Sequence, residues 1–155
     1  MSLFSIRDAT ANDADALARL VTQLGYPADP SAMPARIERL TADAHTCALV
    51  AVNEDVIVGM ATVQARHTLN HEAPIAQLTL LVVDETIRSQ GVGRALVNAA
   101  ERWAAKSGCK RIVVTTQLSR AGAHAFYERL AYQHTGRRYG KELSKDSHAE
   151  RMVTT

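Results

Sequence analysis

The chain has 155 residues, 46% of them hydrophobic, which suits one domain with a substantial buried core and leaves no room for a second. Its 18 basic and 16 acidic side chains give a net charge of +2, and Lys and Arg form no run of five or more. This composition disfavours a nucleic-acid-binding or membrane-surface protein. No stretch approaches the roughly 18 apolar residues of a membrane span.

The two cysteines predict free thiols. Cys47 and Cys109 lie far apart and match neither a CxxC pair nor a Cys/His zinc spacing. Free thiols are typical of a reducing compartment, and residues 1–13 lack the apolar core of a signal peptide. We therefore expect a cytoplasmic protein without a disulfide or a metal site.

The first elements are a strand and a helix. Residues 3–9 alternate between apolar and polar side chains, as a half-buried strand does. Asn12 is a suitable helix cap, and Gly25 is a suitable helix end. Between them, apolar side chains recur at helical spacing: Leu17, Leu20, Val21 and Leu24.

A proline-rich loop and a hairpin follow. Three prolines in residues 26–34 predict a loop, and residues 35–41 predict a short amphipathic helix. Two strand-like runs, residues 47–52 and 57–65, flank a turn at residues 53–55. This pattern predicts a β-hairpin.

The central part of the chain alternates strand and helix. Residues 75–83 are continuously apolar, which predicts a central strand covered on both faces. A long helix is predicted over residues 92–107 and ends at Gly108. Residues 111–118 predict a further strand, and residues 121–130 a further helix.

The carboxy-terminal part predicts one or two strands, around Tyr132 and over residues 138–143. From Ser144 onward the chain is polar, so residues 144–155 are expected to form a loose tail. The alternation of elements over residues 1–143 predicts a single α/β domain.

The junction between the central strand and the long helix suggests an anion site. Gly91 and Gly93 bear no side chains where backbone N–H groups and the helix dipole would face a phosphate, and Arg88 and Arg94 add positive charge. The alternative is that the glycines only shape a tight turn. A Rossmann fingerprint is disfavoured because Leu96 stands where its third glycine belongs, and a Walker loop lacks its Gly-Lys-Ser/Thr.

Two segments resemble one family. "VVDETIRSQGVGRAL", residues 82–96, resembles motif A of the GNAT superfamily of N-acetyltransferases, and "AHAFYERLAY", residues 123–132, resembles the helix that follows it. Their order and separation agree with the family, and the resemblance extends from residue 3 to about residue 143. It implies a GNAT domain over residues 1–143, with a mixed, mostly antiparallel sheet flanked by helices.

The resemblance also implies roles for individual residues. The backbone of Val83 would pair with the pantetheine arm of acetyl-coenzyme A, and the Leu81 amide would polarise the thioester carbonyl. Tyr127 would protonate the leaving thiolate, whereas without the resemblance it would be taken for a core aromatic residue. The pyrophosphate would be held by Arg88 and by the amides of Gln90, Gly91, Val92, Gly93 and Arg94.

The general base is open, because Gln77 stands where several family members carry a glutamate and an amide cannot accept the proton. Glu72 acting through water is the first candidate and His71 the second, although a charged or polar residue in such a loop is more often only solvated. A metal site at His67 and His71 is disfavoured, because no third ligand is apparent.

A second departure is Ala131, which stands where the family usually has glycine after the helix. If this residue is left-handed, the methyl group costs about 1 kcal/mol.

The sequence thus predicts an N-acetyltransferase that moves acetyl from acetyl-coenzyme A to a primary amine of a small molecule or peptide, by direct attack in a ternary complex. A different acyl group stays open. Gln77 motivates an alternative, a non-catalytic acyl-coenzyme A sensor of the same fold. We also expect a homodimer, because family members often form one.

Overall fold

A computed structural model describes residues 4–88, 90–115 and 121–144. In this part of the chain, five strands form one sheet in the order β1-β2-β3-β4-β5. The first three pairings are antiparallel, and β4 pairs with β5 in parallel. The strands are β1 Ser5–Asp8, β2 Thr46–Asn53, β3 Val56–Arg66, β4 Ile75–Val83 and β5 Arg111–Val114.

The described residues also form four α-helices, and the mixed, mostly antiparallel sheet with helices confirms the predicted fold class. They are α1 Ala14–Gln23, α2 Met33–Ala42, α3 Val92–Lys106 and α4 Ala121–Arg129. The chain divides into two compact units, Met1–Thr116 with the sheet and three helices, and Gln117–Thr155 with α4. None of the described helices has the length and apolar character needed to cross a bilayer.

The start of α1 differs from the prediction. Asn12 lies inside a short 3₁₀ turn, Ala11–Asp13, and Asp13 supplies the polar contacts instead. Its carboxylate accepts the Thr10 N–H at 2.8 Å and two guanidinium hydrogen bonds from Arg7 at 2.8 and 2.9 Å. The Arg7 hydrogen bonds are the main reason that the pKa of Asp13 is lowered. Asp13 therefore joins β1 to α1.

The predicted hairpin is confirmed. Glu54 and Asp55 form its two-residue turn with φ angles of 47° and 67°, and Asn53 pairs with Val56 across it. Two consecutive positive φ angles match the right-handed twist of the flanking strands.

The prediction that the strand over residues 75–83 is covered on both faces is wrong. Among the nine residues of β4, Thr79 is exposed and only three are buried, namely Ala76, Leu78 and Val82. The fully covered strand is β3, whose residues 57–63 are all buried. The physical reason is position: β3 is the middle strand, and both α1 and α3 pack on it.

The predicted carboxy-terminal strands are also absent from the described residues. Residues 132–144 carry no strand, and the apolar side chains of Tyr139 and Leu143 are 88% and 73% exposed. A strand needs a neighbour for its backbone hydrogen bonds, and none of the described strands pairs with this segment. The predicted strand over residues 111–118 ends at Val114, and its last residues, like the tail after residue 144, lie outside the described residues.

Three helices end in the same hydrogen-bonded turn. After α1 and α3, the left-handed residue is a glycine, Gly25 (φ 106°) and Gly108 (φ 88°). After α4 it is Ala131, with φ 69°. Its N–H donates to the Glu128 carbonyl and that of Tyr132 to the Tyr127 carbonyl, both at 3.0 Å. These two bonds define the Schellman motif, in which glycine avoids the strain of a side chain.

We predict that Ala131→Gly raises the free energy of unfolding by about 1 kcal/mol, because it removes the clash of a methyl group in a left-handed conformation. The matched control is Gly108→Ala, which introduces the same strain at the end of α3 and lowers stability by a similar amount. Urea unfolding of both variants measures the two effects. An Ala131→Gly protein no more stable than wild type would contradict the assignment.

Candidate active site

The amino terminus of α3 has no side-chain cap. Gly91 is the capping residue, with φ 85°, and none of the described side chains is seen to bond to the first turn, which also lacks an acidic residue. The first helical hydrogen bond runs from the Ala95 N–H to the Gly91 carbonyl at 3.0 Å. The N–H groups of residues 92–94 therefore have no acceptor within the helix, and the positive end of its dipole lies there.

Gly59 lets this end of α3 lie directly against the sheet. A methyl group added at Gly59 would stand 3.0 Å from side-chain atoms of both Val92 and Leu96 and 3.2 Å from the Val82 carbonyl oxygen. Val92 and Leu96 are themselves almost completely buried. The glycine thus fixes the start of α3 beside the end of β4.

The turn between β4 and α3 is held by Asp84. One of its carboxylate oxygens accepts the Thr86 N–H at 3.0 Å and the Thr86 hydroxyl at 2.9 Å, and the other forms an ion pair with Arg19 of α1. The Thr86 N–H, followed by Arg19, lowers the pKa of Asp84 to about 2. Gln23 of α1 adds a contact, because its side-chain oxygen accepts the Glu85 N–H at 3.2 Å. Contacts from helix α1 therefore stabilise the turn that precedes Gly91 and Gly93.

Arg88 lies at the end of this turn. Its Nε donates to the Val83 carbonyl oxygen at 3.3 Å, and the side chain is exposed. The guanidinium consequently lies beside the end of β4. Gln90 and Arg94 are exposed as well, and Ser89 falls outside the described residues.

Among the described residues, residues 80–83 of β4 pair with β3 only, and we call their other side the free edge of β4. The Asp84 N–H donates to the Val58 carbonyl of β3 at 2.8 Å, and successive N–H groups of a strand alternate in direction. The N–H groups of Leu81 and Val83 therefore point away from β3. In the described chain the last pair on that other side joins Leu78 to Val114 of β5.

These features fit the two chemical parts of coenzyme A. Uncapped N–H groups, a helix dipole and the exposed Arg88 suit a pyrophosphate. The free edge of β4 at Leu81 and Val83 suits the amide groups of an extended pantetheine arm, as an added strand would. The structure thus brings seven predicted binding positions to one end of β4. They are Val83, Arg88, Gln90, Gly91, Val92, Gly93 and Arg94.

Tyr127 belongs to the second unit. It lies in α4, is buried, and makes edge-on ring contacts with Phe126 and Tyr132, with centroids 5.1 and 5.6 Å apart. Tyr132 is also the residue whose N–H closes the turn after α4 on the Tyr127 carbonyl. Tyr132 therefore contacts both the backbone and the ring of Tyr127. The role of Tyr127 as a general acid stays a prediction.

The two base candidates lie at the other end of β4. His71 and Glu72 are exposed in the connection before Ile75, and six residues of strand, about 20 Å, separate Ile75 from Leu81. Gln77 is half-buried and pairs with Gln64 of β3. Along the strand, these groups therefore lie at the end opposite to Leu81, and the role of Glu72 or His71 as a base stays a prediction. Where residues are described, no three His, Cys, Asp or Glu side chains converge as metal ligands.

The two thiols are free but poorly suited to nucleophilic catalysis. Burial, with a contribution from Asp8, raises the pKa of Cys47 to about 11, and burial also raises the pKa of Cys109. Both therefore stay protonated at neutral pH, whereas the thiolate is the attacking form. This agrees with direct transfer rather than an acyl-cysteine intermediate.

Sequence reasoning missed Gly59 and the contacts of Arg19 and Gln23. A glycine inside a strand pattern is a known signal of close backbone approach, so the role of Gly59 could have been predicted from the sequence. The Arg19 partner, Asp84, lies 65 residues further along the chain, and a single sequence carries no signal for such a pair.

We predict that Gly91→Asp weakens coenzyme A binding far more than Gly91→Asn. Both side chains have the same shape and tolerate the left-handed conformation that Gly91 adopts, so they share any steric cost. Only aspartate places a negative charge where the phosphates would lie. Calorimetric titration should show a loss of tenfold or more for aspartate relative to asparagine, and equal affinities would place the phosphates elsewhere.

Comparison with known proteins identifies the family of the chain. The profile of the family described as "Acetyltransferase (GNAT) family" matches residues 14–132. The aminoalkylphosphonate N-acetyltransferase of Salmonella typhimurium is 28% identical over 92% of this chain and 94% of its own. The aminoglycoside N(6')-acetyltransferase type 1 of Stenotrophomonas maltophilia is 31% identical over 86% of this chain and 88% of its own.

Solved structures agree on the fold. An aminoglycoside N-acetyltransferase crystallised with coenzyme A, AAC(6')-Iy, superposes with a TM-score of 0.80 at 23% identity, over 90% of this chain and 94% of that one. The family match covers most of the chain, including both glycines at the start of α3 and the whole of α4. The protein belongs to the GNAT family of acetyltransferases.

Proposed function

We propose that this enzyme transfers the acetyl group of acetyl-coenzyme A to a primary amine on a small polar molecule. The family match and the N-acetyltransferase relatives make the chain an acetyl-CoA-dependent N-acetyltransferase, and the sensor alternative is not favoured. The proposal therefore concerns the acceptor and the residues that carry the reaction.

The observation that carries the proposal is the uncapped start of α3 beside the free edge of β4. If the pyrophosphate of the cofactor binds at Gly91 and Arg88, its extended pantetheine arm would lie along β4 from Val83 to Leu81. The cofactor supplies an activated acetyl thioester. The Leu81 N–H, which points away from β3, would donate to the thioester carbonyl oxygen and stabilise the negative charge that develops there.

The reaction needs two proton transfers. The amine nitrogen forms the C–N bond and loses one proton, while the C–S bond breaks and the sulfur takes one proton. Tyr127, with a reference pKa of about 10 against about 8.5 for a thiol, is the proposed donor to the sulfur. Glu72 acting through water is the proposed acceptor of the amine proton, with His71 as the second choice.

The acceptor class rests on the two curated relatives. One is named for aminoalkylphosphonates and the other for aminoglycosides, and both align with more than 85% of this chain. Both substrates are small, polar primary amines, but one carries an anionic group and the other several cations. We therefore propose a small-molecule amine rather than a peptide.

We also propose a cytoplasmic homodimer. The free thiols of Cys47 and Cys109 agree with a reducing compartment. The exposed apolar side chains of Tyr139 and Leu143 are suitable for contact with a second copy.

Thiol release from acetyl-coenzyme A tests the proposal directly. An acceptor panel should contain aminoalkylphosphonates, aminoglycosides, polyamines, amino acids and amino-terminal peptides. We expect turnover with a small-molecule amine and none with peptides. Cofactor binding without turnover of any amine would contradict the proposal.

In the same assay, we predict that Tyr127→Phe lowers kcat by roughly 100-fold, because it removes the proton donor but keeps the ring. Phenylalanine has the same ring that contacts Phe126 and Tyr132 in the wild-type protein, so we expect these contacts to be kept. Phe126→Leu, which alters a neighbouring ring without touching the hydroxyl, is the control for packing. An unchanged kcat in Tyr127→Phe would show that another group protonates the sulfur.

A further inference from the structure

β4 contains an extra residue at its centre. Thr62 of β3 pairs with Leu80, and the next residue, Val63, pairs with Leu78, so Thr79 has no partner in the ladder. This is a β-bulge, which redirects the side chain of the bulged strand. Thr79 is also the first residue after the last described pair between β4 and β5. The bulge therefore lies where the edge of β4 becomes free.

The hydroxyl of Thr79 is held by β3. Its Oγ1 lies 2.6 Å from the Thr62 Oγ1 and donates to the Thr62 carbonyl oxygen at 3.1 Å. Each hydroxyl has one proton. If Thr79 gives its proton to the carbonyl, the buried Thr62 hydroxyl can give its own to Thr79, and both protons are satisfied. If Thr79 instead donates to the Thr62 hydroxyl, the Thr62 proton has no acceptor among the described residues. An unpaired donor is unfavourable at a buried residue such as Thr62.

This arrangement leaves Thr79 with one unused lone pair and no proton to donate. The side chain is exposed, so the lone pair is accessible. Residues two apart in a strand lie on the same face, so Thr62 shares its face of β3 with Met60. Met60 belongs to the buried cluster formed with α1 and α2. Thr79 therefore offers a hydrogen-bond acceptor on the α1 and α2 face of the sheet.

Leu81 is two residues further along β4, about 7 Å away in an extended strand. Its N–H points towards the free edge, where we place the thioester carbonyl. We place the acceptor amine on this face, near Leu81, because Thr79 is an exposed acceptor there and the N–H groups of an amine are hydrogen-bond donors.

We propose that the Thr79 Oγ1 accepts a hydrogen bond from the acceptor amine and orients its nitrogen towards the thioester carbon. This inference rests on the proposed function. Thr79 is not the base, because an uncharged hydroxyl with its proton engaged takes no proton from an amine. It fixes one N–H of the amine, which leaves the nitrogen lone pair free to attack and a second N–H free for the base.

The test compares three variants with whichever amine the wild-type enzyme turns over best. Thr79→Val keeps the shape and removes the hydroxyl, Thr79→Ser restores the hydroxyl, and Thr62→Val perturbs the same bulge while keeping the carbonyl that binds Thr79. We expect kcat/KM for the amine to fall tenfold or more in Thr79→Val and to recover to within threefold in Thr79→Ser. Thr62→Val should lose much less activity at a comparable cost in melting temperature. Acetyl-coenzyme A affinity, measured by calorimetry, should stay within twofold in all three.

Three results would overturn the proposal while leaving the proposed function intact. They are a Thr79→Val enzyme within threefold of wild type, a Thr79→Ser enzyme as impaired as Thr79→Val, and a loss of cofactor affinity that parallels the loss of activity. A wild-type enzyme that acetylates no amine would instead remove the proposed function and, with it, the role of Thr79.

Discussion

The candidate active site depends on which neighbouring strands accept and donate the backbone hydrogen bonds of β4. Along residues 75–78 the strand has a neighbour on each side, and past Leu78 the described chain pairs it only with β3. The Asp84 N–H points to Val58 of β3, and successive N–H groups along a strand point in alternate directions. The N–H groups of Leu81 and Val83 therefore point to the side of β4 opposite to β3. Unpaired strand edges attract extended partners. In the proposed binding mode the cofactor arm is such a partner, and its position along the edge would decide where the acetyl group lies.

The remaining contacts hold α3, the helix that we propose to bind the phosphates of the cofactor. Gly59 brings Val92 and Leu96 of α3 against the sheet, so the core packing of the helix also positions its uncapped first turn. Arg19 of α1 holds Asp84 immediately after β4. The same helix covers the face on which Thr79 offers its lone pair. Helix α1 thus contacts both the turn that precedes the proposed phosphate site and the face proposed for the acceptor.

The sequence could predict features that depend on local signals. The hairpin, the starts of β4 and α3, and the glycine-rich junction follow from periodicity and turn residues, and the family resemblance added the roles of Leu81, Val83 and Tyr127. The bulge at Thr79 and the Arg19–Asp84 pair could not be predicted, because they depend on the register and packing of distant segments. The strands expected around Tyr132 and residues 138–143 were wrong for a related reason: strand propensity has no effect without a paired neighbour.

The central claim is that one extended ligand spans the free edge of β4 and the start of α3. A titration of isotope-labelled protein with acetyl-coenzyme A, followed through the backbone amide resonances, tests it most directly. The account predicts the largest shifts at Leu81, Val83 and residues 90–94, with little change in β1 and in the hairpin turn at Glu54 and Asp55. Shifts confined to other surfaces, or a shift at α3 without one at Leu81 and Val83, would contradict it.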